Sequence, residues 1–258
     1  EEDLNLSKVY DFATTTPLDE IRFILEAKRL NLQAAERSFK GNYGHELGKT
    51  LQSSRSEQSI MGSNTFTHIL SYTSAACDAR MAGAMIPVMS NSGSGNQGIT
   101  ASVPVIRYAK HIGASDERLY RALLVSDLVT IHQKTGIGRL SAYCGAVSAG
   151  CGAGAGIAYL LGGDYRAIAH TIVNAVAILS GTICDGAKPS CAAKIASAVE
   201  AGILGYYMYV NDQQFRGGDG IVAKGVENTI RNVGLLASQG MKQTDRVILN
   251  IMTGDQCL

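Results

Sequence analysis

The sequence lacks a surplus of charge of either sign, since 23 basic and 22 acidic residues leave a net charge of +1. It also lacks any stretch in which basic residues alternate with aromatic ones, so we expect no nucleic-acid partner and no anionic membrane partner. Residues 1–3 offer neither the basic start nor the apolar run of a secretory leader. Six cysteines in a chain without a visible leader predict cytoplasmic thiols or metal ligands rather than disulfides.

An initiator methionine is missing as well, and we expect the chain to be part of a longer protein that carries some of the functional residues. No convincing internal repeat and no long linker is visible. The 258 residues suffice for one domain whose core needs no disulfides. The higher charge of the first part predicts a peripheral helical layer over about residues 1–59, packed on a core of about residues 60–258.

Alternation of polar and apolar residues is scarce, whereas apolar residues recur at helical spacing along most of the chain. Capping residues and apolar stripes mark the expected helices. Helix starts are predicted at Thr16–Pro17, at Ser115, at Asp164, at Ser190, close to Val226 and near Thr244. The pattern therefore predicts an all-α, compact helical domain.

The central segment, residues 141–163, contains no charged residue and is rich in glycine and alanine. Its length would allow a membrane span, but these small residues offer little apolar surface and the flanks carry no aromatic belt or positive cluster. Each glycine inside a helix costs about 1 kcal/mol relative to alanine. Close packing has to offset that cost, so we expect central Gly/Ala-rich buried helices. The glycines would alternatively leave room for a bound cofactor.

A polar loop over residues 90–98 follows an apolar run and contains three glycines, three serines and two asparagines. Glycines expose backbone N–H groups, and a helix-like segment follows from Ile99. Both features favour binding of a carboxylate or a phosphate at this loop. A plain turn between helices is the alternative.

The same loop satisfies the GxGxxG pattern of dinucleotide-binding folds through Gly93, Gly95 and Gly98. The pattern needs a strand before it, a packed helix after it and a second strand beyond. Here we expect Pro104 to interrupt the helix and Ser115 to begin a helix where that strand belongs. The nucleotide interpretation is therefore the weaker one.

Three cysteines, Cys144, Cys184 and Cys191, are the most informative candidates for chemistry. The last two are seven positions apart in a loop that contains a glycine and a proline, so the chain can turn back there. Zinc would favour CxxC pairs or added histidines, whereas iron–sulfur clusters accept ligands dispersed along the chain. Burial as small hydrophobic residues is the alternative for all three, and it is the expected role of Cys77 and Cys151.

Other polar residues near these segments are weaker candidates. Cys257 is either an ordinary exposed terminus or a thiol that reaches an open iron. His68 and His170 fall within apolar stretches, where a hydrogen-bonded core histidine is expected. The candidates for acid, base or carboxylate-binding roles are Asp78, Arg80, His132, Lys134 and Lys188.

Taken together, three segments resemble the iron–sulfur serine dehydratase alpha chains, and most closely the L-cysteine desulfidase branch of that superfamily. They are residues 82–89 with the loop 92–98, the Gly/Ala run from Cys144, and the run from Cys184 to Cys191. The resemblance covers about residues 67–252. It implies an all-helical catalytic core, a 4Fe-4S cluster, and β-elimination from a small amino-acid substrate without pyridoxal phosphate.

The resemblance also implies which residues form the site. Cys144, Cys184 and Cys191 would be the cluster ligands, while no general base is identified and His132 is only a suggestion. The substrate-binding residues would be Ser92, Gly93, Ser94, Gly95 and Asn96.

Two departures from the serine dehydratases bear on the substrate. Their last cysteine pair is more widely spaced and their loop differs, which favours L-cysteine desulfidase, a lyase that forms pyruvate, ammonia and hydrogen sulfide. L-serine dehydratase is one alternative, and a non-catalytic helical scaffold that binds a small anion is another. The resemblance also implies an N-terminal segment, which we expect to lie outside this chain. A homodimer is compatible with the low net charge.

Overall fold

The structure is a computed structural model that describes residues 4–53 and 60–254. Within those ranges the chain forms helices and no β-strand, apart from two isolated bridges, Asn91 with Ser94 and Tyr143 with Ile183. The all-α prediction is therefore confirmed. Cys257 and the expected boundary at residue 59 lie outside the described residues.

The α-helices are α1 Leu6–Thr15, α2 Leu18–Ile21, α3 Leu25–Lys40, α4 Leu47–Ser53, α5 Thr65–Met81, α6 Gly95–His111, α7 Asp116–Ile137, α8 Gly145–Leu160, α9 Tyr165–Ile178, α10 Cys191–Val210, α11 Val226–Leu235 and α12 Lys242–Thr253.

Side-chain caps begin several of the predicted helices where expected. The hydroxyl of Ser115 accepts a hydrogen bond from the Arg118 N–H, and the carboxylate of Asp164 accepts one from the Ala167 N–H. Each bond satisfies a backbone donor that the first helical turn leaves unpaired. Ser190 directly precedes α10, again as predicted.

Two local predictions about helix boundaries are wrong. Thr16 follows the last residue of α1, a helix that the pattern did not reveal, and the next helix begins at Leu18 rather than at Pro17. Helix α6 begins at Gly95 and continues through Pro104 to His111. Proline inside a helix costs about 3 kcal/mol, but the residues around Pro104 are buried between α5, α7 and α8, and that packing outweighs the penalty.

Helix α8 lies at the centre of the molecule and packs against α6, α7, α9 and α10. Along its contact with α10, Gly150 faces Ala198 and Gly154 faces Gly202, with the same offset in both pairs, so the two helices run parallel. A Cβ atom on Gly154 would lie 2.5 Å from the Gly202 carbonyl oxygen, closer than real side chains approach. The expected central Gly/Ala-rich buried helices are thus present, and glycine is what permits their close contact.

The direction of the neighbouring helices follows from the same contacts. Gly145 meets Gln97 and Gly156 meets Val105, so α6 also runs parallel to α8. Helix α7 runs the opposite way, since Gly152 meets Thr130 whereas the later Gly156 meets the earlier Ala122. Helix α5 likewise opposes α10, with its later residue Ser74 bonded to the Ala192 carbonyl. One end of the bundle therefore gathers the N-termini of α6, α8 and α10 with the C-termini of α5 and α7; we call it the cysteine end.

The uncharged central segment, residues 141–163, forms α8 and the residues next to it. Across residues 4–53 and 60–254, no helix combines the length and the apolar character that a bilayer crossing requires. Helix α8 is strongly apolar, but its 16 residues are fewer than the ~20 that a helix needs to cross the bilayer core.

Candidate functional site

Cys144 and Cys184 meet at the cysteine end because a short antiparallel bridge aligns their backbones. The Cys144 N–H donates to the Thr182 carbonyl at 3.1 Å, and the Cys184 N–H donates to the Ala142 carbonyl at 2.6 Å. Cys144 directly precedes α8, and Cys184 lies in the segment that returns from α9. The two thiol groups are hydrogen-bonded to each other.

Cys191 joins this pair through the turn that the sequence placed between the last two cysteines. The Gly186 N–H donates to the Cys184 sulfur, and the Gly186 carbonyl accepts the Cys191 thiol at 3.6 Å. The Lys188 N–H also donates to the Cys191 sulfur, at 3.4 Å. Gly186 has a φ of +92°, a conformation that glycine adopts without strain. The backbone of Gly186 thus contacts two of the three predicted ligands.

The contact between the two thiols shifts their pKa values in opposite directions. The hydrogen bond with Cys144 lowers the pKa of Cys184 to about 6, helped by the Gly186 N–H and the Lys194 ammonium and opposed by burial. The same bond, together with burial, raises the pKa of Cys144. Cys184 is therefore the more acidic thiol of the pair, and the thiolate is the form that binds metals.

The N-termini of α8 and α10 add partial positive charge beside the cysteines. Cys144 stands at the N-terminus of α8 and Cys191 is the first residue of α10. The N-terminal end of a helix carries partial positive charge, which favours anions and thiolates beside it. The Lys194 ammonium, bonded to Asp185 and to the Ile183 carbonyl at 3.0 Å, interacts with Cys144 and Cys191 as well.

The three cysteines have the donor chemistry of the implied iron–sulfur group. Thiol sulfurs that also accept backbone N–H bonds are the ligand chemistry of such clusters, and all three cysteines have an N–H donor. In that respect the residues fit. However, the described ranges contain no group of three or more His, Cys, Asp and Glu side chains arranged to hold a metal ion.

The predicted substrate loop is shorter than expected and divides between two places. Ser94 caps α6, and Gly95 and Asn96 form the first turn of that helix. The Asn96 side-chain oxygen accepts a hydrogen bond from the Arg80 guanidinium at 2.9 Å and from the Cys77 thiol at 3.6 Å. This side of the loop faces the cysteine end.

Ser92 lies instead in a separate pocket of about 190 Å³. There Asn91 donates to the Asp127 carboxylate at 2.8 Å, and Ser92 donates to the Asn91 side-chain oxygen at 2.8 Å. Burial raises the pKa of Asp127 to about 6, although the Asn91 bond lowers it. Gly93 forms the tip of the loop, with open space beside it.

Two residues at the cysteine end, Gln97 and Cys77, were not predicted to belong to the site. The Gln97 side chain lies against Gly145, next to Cys144, and its oxygen is buried with no partner in the described part of the chain. Cys77 is buried in the core as predicted, but it also interacts electrostatically with Cys191. It precedes Arg80 by three positions and so shares a face of α5 with it, a spacing that was visible in the sequence.

The suggested base His132 is occupied elsewhere. Its Nε2 atom pairs with the Glu227 carboxylate at 2.8 Å, and the other oxygen of Glu227 accepts the Leu6 N–H at 2.8 Å. Lys134 faces the thiols instead: it is buried, burial lowers its pKa, and its charge interacts with Cys184 and Cys144.

The remaining charged candidates have structural partners. Lys188 is bonded to Asp185 within the cysteine loop. Asp78 accepts the Gly48 N–H at 2.9 Å and so caps α4. Of the charged candidates, Arg80 and Lys134 are therefore the two whose placement suits chemistry at the cysteine end.

Comparison of the sequence with known proteins shows which family it matches. The family described as serine dehydratase alpha chain matches residues 3–250. A UPF0597 protein of Phocaeicola vulgatus is 61% identical over 257 residues, which cover 100% of this chain and 60% of the relative. UPF0597 proteins of Bacteroides fragilis and Desulfitobacterium hafniense are 56% and 55% identical over 255 residues each, which cover 99% and 98% of this chain and 59% and 58% of the relatives.

The chain thus spans about three fifths of the length of these curated relatives. No solved structure matches it significantly. The family match extends over nearly the whole chain and includes all three cysteines of the site. The chain therefore belongs to the serine dehydratase alpha chain family.

Proposed function

We propose that the protein containing this chain is an iron–sulfur-dependent lyase that removes the β-substituent of a small amino acid, with L-cysteine as its substrate. The observation that carries the proposal is the meeting of Cys144, Cys184 and the Cys191 loop at the N-termini of α8 and α10. Because the relatives are longer than this chain, the activity is proposed for the whole protein.

Cys144, Cys184 and Cys191 would hold a 4Fe-4S cluster. When bound, such a cluster supplies a Lewis acid that stabilises negative charge on the substrate carboxylate and on the departing sulfur. The N–H groups of Ala146, Gly186 and Lys188 donate to the three sulfurs and so favour their thiolate form.

The protein's own groups would bind and deprotonate the substrate. The Arg80 guanidinium and the start of α6 suit a carboxylate, because both present N–H donors with positive charge. Lys134 would accept the α-proton as the neutral amine, because burial lowers its pKa and its Nζ atom makes no hydrogen bond or ion pair with the described residues. Loss of that proton and of sulfide gives aminoacrylate. Its imine hydrolyses, so that cysteine and water yield pyruvate, ammonia and hydrogen sulfide.

Anaerobic reconstitution with iron and sulfide tests the proposal. We expect the wild-type chain to gain a broad visible charge-transfer absorbance, and Cys144→Ala, Cys184→Ala and Cys191→Ala to lose most of it. Cys151→Ala is the matched control, because Cys151 is a buried cysteine on α8 two turns beyond the site. Retention of colour in the three variants, or a wild-type chain that stays colourless, would contradict the proposal; the second result would favour the anion-binding scaffold.

The family match also supports serine dehydration as a second candidate. A pyruvate assay with the full-length, reconstituted protein separates the two. Formation of pyruvate together with sulfide from L-cysteine, with L-serine much slower, is the expected result. The reverse order of rates would identify a serine dehydratase.

A further inference from the structure

A cavity of about 470 Å³ lies between the first half of α9, the segment after α10 and the segment that enters α11. Its apolar lining includes Ala169, Val173, Phe215 and Val226. None of the lining residues belongs to the cysteine site. The volume lies in the range of sites that hold small organic ligands, roughly 300–1,000 Å³.

Cationic side chains from three separate segments line the same cavity. Arg166 comes from α9, Arg216 from the segment after α10, and Lys224 from the segment before α11. None of the three forms an ion pair with residues 4–53 or 60–254. His170 adds an imidazole, and burial and the nearby Arg166 charge lower its pKa.

Acidic groups lie beside the cavity but not in its lining. Asp219 accepts the backbone N–H of Arg216 at 2.6 Å. Glu227 and Asp11 interact with Tyr165 at one edge, and Glu227 is already bonded to His132. The lining itself therefore presents positive charge without a compensating carboxylate.

The apolar wall of the cavity is held in place by buried contacts. The Phe215 N–H donates to the side-chain oxygen of Asn174 at 3.0 Å. Asn174 is fully buried, and its amide group also donates to the Gly205 carbonyl at 3.0 Å. Phe215 is thus fixed relative to α9 and α10, so the cavity exists before any ligand enters it.

We propose that this cavity is a second ligand site, which binds a small organic anion that joins a phosphate or carboxylate group to a planar apolar body. The anionic group would lie among Arg166, Arg216 and Lys224, where guanidinium groups can bind it through two N–H bonds. The planar body would lie against Phe215 and the aliphatic wall. The site is separate from the proposed elimination chemistry and does not depend on a cluster.

Calorimetric titration of the chain with phenyl phosphate, benzoate and inorganic phosphate tests the proposal. Phenyl phosphate or benzoate should bind more tightly than inorganic phosphate, because only these two fill the apolar part; their order tells which anionic group is preferred. The double variant R166Q/R216Q should raise Kd for the preferred probe by roughly 10-fold or more. K224Q, a single change at an exposed residue, gives a second measurement if the double variant does not fold.

R231Q is the matched control, since Arg231 is an arginine on α11 that bonds Asn228 and does not line the cavity. It should leave Kd unchanged within about two-fold. Three results would overturn the proposal: no binding of either aromatic probe, equal binding of inorganic phosphate, or an equal loss of affinity in R231Q. Each is measured without a cluster, so it is independent of the outcome for the cysteines.

Discussion

At the scale of single residues, Glu227 joins three helices through one carboxylate. One oxygen pairs with His132 on α7 at 2.8 Å, and the other accepts the Leu6 N–H at the start of α1. Burial raises the pKa of Glu227, but these bonds outweigh burial, so the pKa lies below its ordinary value of 4.5. A carboxylate of this kind stabilises the folded chain above the ordinary pKa and ceases to do so as the pH falls through the lowered one.

We therefore predict that Glu227→Gln lowers the free energy of unfolding by about 1 kcal/mol at pH 7, a modest value because the carboxylate is partly exposed and water screens its charge. Urea denaturation from pH 7 to pH 3 measures this. The difference from wild type should stay constant down to about pH 4.5 and shrink below it.

Glu26→Gln serves as the control, because Glu26 forms an exposed pair with Arg29 on one helix, and such pairs contribute little. A Glu227→Gln effect that is no larger than the Glu26→Gln effect would show that the bonds to His132 and Leu6 are energetically unimportant.

The site residues differ in how far the sequence reveals them. Cys144, Cys184 and Cys191 could be singled out because thiols between small residues and a Gly/Pro turn form a local pattern. The contact of Cys144 with Cys184 depends on the Tyr143–Ile183 bridge, a pairing across the chain that no local pattern signals. The same holds for Lys134, which faces the thiols only because α7 runs antiparallel to α8.

At the scale of elements, the contact between α8 and α10 sets the geometry of the site. We predict that Gly154→Ala lowers the free energy of unfolding by roughly 1–3 kcal/mol, because the added methyl group would meet the Gly202 backbone and push the helices apart. The urea midpoint at constant slope is the measurement.

Gly136→Ala is the matched control within a helix. Its added Cβ would come no closer than 3.4 Å to the Gly234 Cα, an ordinary contact, and the position is exposed. Alanine should therefore be neutral there or stabilising by up to about 1 kcal/mol, from helix propensity alone. If both substitutions stabilise the chain, the close approach of α8 and α10 is not a steric constraint.

Helix positions were largely predictable because caps and apolar stripes are local signals, as Ser115 and Asp164 show. The Pro104 prediction failed because tertiary burial, which is not local, outweighed an intrinsic penalty. Helix α1 was missed although its signals are local too: Asn5 caps it, and Leu6, Val9 and Ala13 recur at helical spacing.

At the scale of the whole molecule, burial is unevenly distributed. Nearly all of α8 is buried, whereas α12 has no buried residue and exposes Val247, Leu249, Ile251 and Met252. We predict that amide hydrogen exchange is slowest in α8 and α10 and at least about 100-fold faster in α12, because α12 can open without exposing the core. Mass spectrometry of peptides over a time course measures this.

The same measurement at two protein concentrations tests the expected homodimer. Protection of α12 that increases with concentration would show that a second copy covers its apolar face. Protection of α12 equal to that of α8 at every concentration would contradict the prediction that it opens locally.

The parallel contact of α8 and α10 has a consequence for sequence variation among relatives. Positions 154 and 202 share one narrow space, so a methyl group at either site uses the room that the other needs. We expect the two positions to covary, with a larger residue at one tolerated only where the helix spacing has widened. Such relatives would also have to lengthen or reshape the 184–191 loop, because the distance between the first residues of α8 and α10 sets the span that this loop closes.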